Sequence, residues 1–305
     1  MPIVAALDLG SNTVKMTVAE VSAPAGLRVL YERAEVTRIG EGLDKNGYLL
    51  DSAQARTLAE LERMATDARA HGATVVRAVG TAGLRGATNA AAFLAEVERR
   101  TGIVVEIIHG LREAELAFRA PSSAFGPGPV VVVDLGGRST EIIAGTPGHI
   151  EAKISLEVGS VRLTERCLPS DPPTEAELEG ARTYFRGLLA GAPSFPAGAT
   201  LVGVSGTILA LLGLELGIHD AGVLAERGDG RTLHRPAVDV FYERFRRLPA
   251  AERIVGSIIP SGRADVIVAG MLIVGELMDH YQQREMRVTG HGVRYGLLYE
   301  LAASS

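Results

Sequence analysis

The chain has 305 residues, 31 Lys and Arg against 36 Asp and Glu, and a net charge of −5. That length supports two domains with real cores, and the mild negative charge excludes a molecule that attracts polyanions over its whole surface. Phosphate or nucleic-acid binding would need a local basic patch. No run of about 18 apolar residues exists, so no membrane span is expected. Cys167 is the only cysteine, which rules out an internal disulfide. The first residues lead into an apolar strand carrying Asp8 rather than a leader peptide, and the whole suits the cytoplasm.

Taken in order, residues 3–9, 14–21 and 28–37 read as three strands, alternating or continuously apolar. A glycine-rich loop fills 36–49. Asp51 begins a helix with apolar positions at Leu58, Leu61, Met64 and Ala68, ended by Gly72. A strand at 74–79 leads to the loop GTAGLRGATN. Thr88 or Asn89 caps a helix to Arg100, a strand follows at 103–108, and a short helix spans 111–119. Residues 125–129, FGPGP, mark the expected domain boundary, because glycine and proline interrupt any element. Domains of 1–124 and 125–305 follow, with a last helix near 293–302 that packs back on the first domain as an alternative.

The second half repeats the order. Strands are expected at 130–135, 140–145 and 150–156. Thr174 and Glu177 form a capping box that opens a helix to about Leu189. A strand at 200–204 precedes the turn VSGT and a helix over 208–216. Further helices are read at 236–247 and 263–281, a strand at 286–289, and a last helix at 293–302. Strands alternating with helices predict an α/β protein with mixed sheets.

The segment 130–141, VVVVDLGGRSTE, carries the chemistry. Four valines end on Asp134, the chain turns through Gly136 and Gly137 to Ser139 and Thr140, and a second acid follows at Glu141. Bare glycine amides admit an anionic oxygen closely. Two carboxylates offer the hard oxygen ligands that Mg²⁺ favours. Alone, the segment reads equally well as a tight hairpin turn. It has a counterpart, however, in residues 4–21, VAALDLGSNTVKMTVAEV, where Asp8, Leu9 and Gly10 fall on Asp134, Leu135 and Gly136. Ser11, Asn12 and Thr13 fall on Gly137, Arg138 and Ser139. Two related domains, each opening with a phosphate-gripping hairpin, are the reading of this repeat.

With these pieces placed, the chain resembles the exopolyphosphatase and guanosine pentaphosphate phosphohydrolase (Ppx/GppA) family, of the actin, Hsp70 and sugar-kinase group. The resemblance rests on nine segments in order: DLGSNTVK (8–15), RIGEGL (38–43), GTAGLR (80–85), IIHGLREAEL (107–116), DLGGRSTE (134–141), SLEVGSVRLTE (155–165), VSGT (204–207), RADVIVAG (263–270) and GVRYGLL (292–298). It implies two actin-like, ribonuclease H-like domains with mixed sheets flanked by helices and an active-site cleft between them. Three segments depart from the family pattern. Arg138 stands where a third glycine is usual, His109-Gly110-Leu111-Arg112 replaces Ser-Gly and two acids, and Tyr295 replaces a glutamate.

The resemblance also implies roles. Glu113 sits where the family carries its catalytic glutamate; by its surroundings alone it reads as a solvated helix residue, like Glu115. Asp134 and Glu141 hold Mg²⁺ or Mn²⁺, with Asp8 assisting. Ser11, Asn12, Thr13, Arg85, Gly136, Gly137, Arg138 and Ser139 bind phosphate. Arg38, Arg263 and Arg294 lie in matching motifs and equally suit salt bridges. The expected activity is release of terminal orthophosphate from inorganic polyphosphate. Guanosine pentaphosphate hydrolysis is the alternative substrate reading. A kinase is disfavoured by the Glu113 and RADVIVAG segments, and a non-catalytic sensor of guanosine penta- or tetraphosphate or of polyphosphate stays open. The partners implied are these ligands, with no nucleic acid and no membrane; a homodimer stays open.

Overall fold

The computed structural model describes residues 1–22 and 26–303. The chain forms two compact units, residues 1–120 with 293–305, and residues 121–292. The division falls at Pro121 rather than at 125, and the last helix belongs to the first unit.

Unit 1 contains the strands β1 (Ile3–Leu9), β2 (Thr13–Ser22), β3 (Gly26–Val36), β4 (Val75–Gly80) and β5 (Val105–Ile107). Its helices are α1 (Leu43–Asn46), α2 (Asp51–Ala70), α3 (Ala82–Arg85), α4 (Ala90–Thr101), the start of α5 (Gly110–Ala124), and α13 (Val293–Ala303). The sheet order is β3-β2-β1-β4-β5, antiparallel within β1–β3 and parallel from β1 to β5. Both faces are covered, which is why β1 reads as nearly continuous apolar sequence. Ala5, Leu7 and Leu9 face Leu61, Met64, Phe93 and Val97 of α2 and α4. Val4 and Ala6 face Leu116 of α5 and Leu297 and Leu298 of α13. By strand alternation Asp8 shares the face of Val4 and Ala6.

Unit 2 contains β6 (Val130–Leu135), β7 (Thr140–Thr146), β8 (His149–Leu156), β9 (Thr200–Val204), β10 (Thr232–His234) and β11 (Glu285–Thr289). Its helices are α6 (Ser160–Cys167), α7 (Glu175–Leu189), α8 (Gly206–Leu216), α9 (Ala221–Gly228), α10 (Arg235–Phe245), α11 (Ala250–Arg253) and α12 (Ile267–His280). The order is β10-β11-β9-β6-β7-β8. From β8 through β6 to β9 and β11 it reproduces, strand for strand and direction for direction, the order β3-β2-β1-β4-β5. The repeat seen in two short segments is therefore a repeat of whole sheets. Its core packs Val131, Val133 and Leu135 against α7, α8 and α12, and α12 is buried along nearly its whole length.

Most elements lie within a few residues of expectation, and Thr174 and Glu177 close the capping box that sets the start of α7. Three differences have physical causes. α5 continues through Pro121 to Ala124, because a proline removes one helical hydrogen bond without ending a well-packed helix. α12 starts at Ile267 rather than 263, since Pro260 first opens a 3-10 turn over Ser261–Arg263. The short elements α1, α3, α6, α9, α11 and β10 lack the length that makes a periodic signal. No single helix among the described residues is long and apolar enough to cross a membrane.

Candidate functional site

The two Asp-Leu-Gly loops are built alike. Gly10 N–H donates to Thr13 O at 3.2 Å, and Gly136 N–H to Ser139 O at 3.0 Å. Each loop is anchored from behind through its carbonyls. Ser11 O accepts from Gly40 N–H at 2.9 Å, and Asn12 O from Thr37 and Arg38 at 3.1 and 3.0 Å. In the other unit, Gly136 O accepts from Ser160 at 3.1 Å, and Gly137 O from Val161 and Arg162 at 2.7 and 3.0 Å. In a trans peptide the C=O and the following N–H point opposite ways. The amides of Asn12 and Thr13, and of Gly137 and Arg138, are therefore turned away from the anchoring segments. That orientation is what an anion requires.

The anchoring demands close backbone approach. A Cβ on Gly159 would stand 2.5 Å from Gly136 O, and one on Gly83 would stand 2.8 Å from Ser11 Cα. This explains Gly159 of the 155–165 segment and Gly83 of the 80–85 segment. Arg38 holds φ at +55°, a left-handed conformation that is unfavourable for a residue with a side chain by about 1 kcal/mol or more. Its reward is the paired grip of residues 37 and 38 on one carbonyl.

Arg138 is placed differently from a phosphate-gripping side chain on an open loop. The side chain is wholly buried, and its guanidinium reaches Glu165 of α6 at 3.3 Å. Arg138→Ala is expected to destabilise the protein by about 1–3 kcal/mol, since a buried cation and its packing are both lost. Denaturant unfolding measures this, and an unchanged midpoint would contradict it.

Glu113 lies in the first turn of α5 and is buried, not solvated. Its Oε2 accepts from Arg85 Nη1 at 2.8 Å, and the same nitrogen donates to Ile108 O at 2.9 Å. The fold thus brings together two candidate residues 28 positions apart. Arg85 orients the carboxylate.

Asp134 and Glu141 are direct partners across β6 and β7. Opposed residues of an antiparallel pair project from one face with Cβ atoms about 4.5–5.5 Å apart. Two like charges there repel unless a cation lies with them. Glu141 is buried, and its Oε1 accepts from Ser155 Oγ at 2.7 Å, which aims the carboxylate. Among the described residues no three acids, histidines or cysteines gather as a closed metal cage. Two carboxylates on one face of the hairpin suit Mg²⁺, which keeps part of its hydration shell.

Asp8 has Lys15 opposite it in the same hairpin register, where unit 2 has Glu141 opposite Asp134. One hairpin therefore presents an acid–base pair and the other an acid pair. Asp8 is buried, and its Oδ1 has no hydrogen-bond partner among the described residues. Burial raises its carboxyl above the usual carboxylate range, with Lys15 and Arg294 pulling the other way. Such an orphaned oxygen fits a cation or its bound water. The raised value means the folded state holds the proton more tightly, so this group favours folding at acid pH and loses that contribution as pH rises through the raised value. Asp8→Asn is expected to raise the melting temperature in metal-free neutral buffer by about 2–4 °C, an advantage over wild type that shrinks on acidification. A lower melting temperature at neutral pH would refute it.

Ser205 is occupied structurally, as the N-cap of α8, with Oγ accepting from Ile208 N–H at 2.9 Å. Sequence reasoning passed over Lys15 and Ser155. The hairpin spacing locates Lys15, seven residues after Asp8 as Glu141 is after Asp134; nothing local marks Ser155.

A protein-family model described as the Ppx/GppA phosphatase family matches residues 17–305. The chain is 33% identical to exopolyphosphatase 2 of Mycobacterium tuberculosis over 98% of both proteins. It is 29% identical to the guanosine-5'-triphosphate,3'-diphosphate pyrophosphatase of Aeromonas salmonicida, covering all of this chain and 60% of that protein. The solved Ppx/GppA family member of Aquifex aeolicus superposes with a TM-score of 0.83 at 30% identity, over 99% of this chain and 98% of that one.

Proposed function

The chain belongs to the Ppx/GppA phosphatase family, and from that premise we propose that it removes terminal orthophosphate from inorganic polyphosphate. It is a hydrolase of phosphoanhydride bonds. Phosphoryl transfer to water needs positioning and charge stabilisation more than covalent participation. The amides of Asn12, Thr13, Gly137 and Arg138, with the hydroxyls of Ser11, Thr13 and Ser139, are the donors for phosphoryl oxygens. Glu113, oriented by Arg85, takes the proton of the attacking water as the terminal P–O bond breaks. Asp134 and Glu141 hold Mg²⁺ or Mn²⁺, with Asp8 assisting; when bound, the ion supplies neutralisation of phosphate charge.

The observation that carries this reading is the Arg85–Glu113 pair at 2.8 Å. It orients the buried Glu113 carboxylate beside a half-buried cation in the unit that also carries the Ser11–Thr13 loop, which supports Glu113 as the base. Guanosine pentaphosphate is the second substrate reading, supported by the Aeromonas relative. The test is orthophosphate release from long polyphosphate, short polyphosphate and guanosine pentaphosphate, each with and without Mg²⁺. Tight binding without release from any of them would favour a sensor instead. ATP-dependent phosphorylation of an added acceptor would favour a kinase.

A further inference from the structure

Three donors converge on one oxygen of Glu32. Thr17 donates to Oε1 from Oγ1 at 3.0 Å, Arg294 from Nη2 at 2.7 Å, and Tyr295 from its hydroxyl at 3.0 Å. Sheet register explains the meeting. Ala6, Thr17 and Glu32 are successive partners across β1, β2 and β3, so their side chains form one row on the face that α13 covers. The next row on that face is Asp8, Lys15 and Ala34. Two residues of strand separate the rows by about 7 Å, a distance an arginine side chain spans. Arg294 is the second residue of α13, where the helix dipole disfavours a cation. Glu32 compensates for that, and the Tyr295 ring flanks the guanidinium at 5.5 Å.

The clamp uses only part of the guanidinium. Arg294 Nε is buried and meets no acceptor among the described residues, and Asp8 Oδ1, in the adjoining row, is buried without a donor. Buried polar atoms are rarely left so. An unsatisfied acceptor on Asp8, near the Ser11–Thr13 loop, and an unsatisfied donor on Arg294, whose charge acts on Asp8, suit a third group that carries anionic oxygens together with a cation or water.

We propose that Arg294 contacts a substrate phosphate beside the Ser11–Thr13 loop, and that Glu32, with Thr17 and Tyr295, is the positioning residue that sets its guanidinium there. The proposal rests on the hydrolase reading above and adds the residue that binds and the one that aims it. Tyr295, which replaces a glutamate of the family pattern, here serves the strand carboxylate instead of supplying its own. Lysine in place of Arg294 cannot serve both partners, because one ammonium lacks the planar fork.

The experiment measures kcat and KM for long polyphosphate in Arg294→Ala, Arg294→Lys, Glu32→Gln, Tyr295→Phe and the Glu32→Gln/Arg294→Ala double variant. In parallel, calorimetry measures tripolyphosphate affinity of the full chain. Arg294→Ala is expected to raise KM about 10-fold or more, the scale of one charge-assisted hydrogen bond. Glu32→Gln raises it nearly as much with kcat within about threefold, Tyr295→Phe raises it about threefold, and Arg294→Lys gives no rescue. If Glu32 acts through Arg294, the double variant is no worse than Arg294→Ala alone. Penalties that multiply, or an unchanged KM in both single variants, overturn the proposal. If Glu32→Gln fails to fold, Tyr295→Phe takes its place in the same cycle. Should wild type release no phosphate from any substrate, the hydrolase reading falls, and the calorimetric cycle still decides the clamp.

Discussion

Glu113→Gln is expected to lower turnover by about 10²–10⁴-fold, the usual worth of general-base assistance, while leaving KM nearly unchanged. A terminal phosphate carries negative charge and repels hydroxide, so the nucleophile is neutral water, and something must accept its proton. A carboxylate engaged by a metal ion is a poor acceptor, because the cation holds its lone pairs. Glu113 is supplied by a separate element, and its neighbour is Arg85 at 2.8 Å. Glutamine keeps an oxygen for that hydrogen bond, so thermal stability is expected to change little. Glu115→Gln is the control. Glu115 pairs with Arg112 at 3.3 Å, and its variant should turn over within about twofold of wild type. Wild-type turnover in Glu113→Gln, with Glu141→Gln inactive and still binding metal, would move the base to Glu141.

Chelation with excess EDTA is expected to abolish phosphate release, and Asp134→Asn to reduce it by about 10³-fold or more even with Mg²⁺ restored. Lewis-acid stabilisation of phosphoryl charge is worth several kcal/mol, which converts to rate factors of that size. The structural ground is the pairing of Asp134 with Glu141 across β6 and β7, and the aim given to Glu141 by Ser155. Melting temperature gives a second readout. A ligand present at about 100 times its Kd stabilises by about 2.7 kcal/mol, so Mg²⁺ should raise the midpoint of wild type and much less that of Asp134→Asn. Full activity in EDTA, or an equal Mg²⁺ shift in both proteins, would remove Asp134 and Glu141 from the role of metal holders.

Much of the fold is legible because its signals are local. Glycine turns between apolar runs define β1–β2 and β6–β7, and a capping box four residues long starts α7. The candidate site is legible in its loops for the same reason. It is less so in its side-chain partners. Arg138 shows why: the sequence places it on a phosphate loop, and in the structure its buried side chain pairs with Glu165 of α6, one helical turn and a half along.

By itself the sequence determined the two Asp-Leu-Gly loops, the duplication, and the alternation that puts Asp8 and Asp134 at the ends of buried strands. Hydrophobic period and turn chemistry act within a few residues and need no partner to be read. Tertiary structure alone decided which charges meet. Arg85 reaches Glu113 across 28 residues, and Arg294 reaches Glu32 across 262. It also decided that Glu113 is buried and that the carbonyls of both loops are held from behind. Coulombic pairing and burial depend on distance in space. That distance is set by sheet register and by how α5, α6 and α13 pack within their units, and no window of sequence contains both partners.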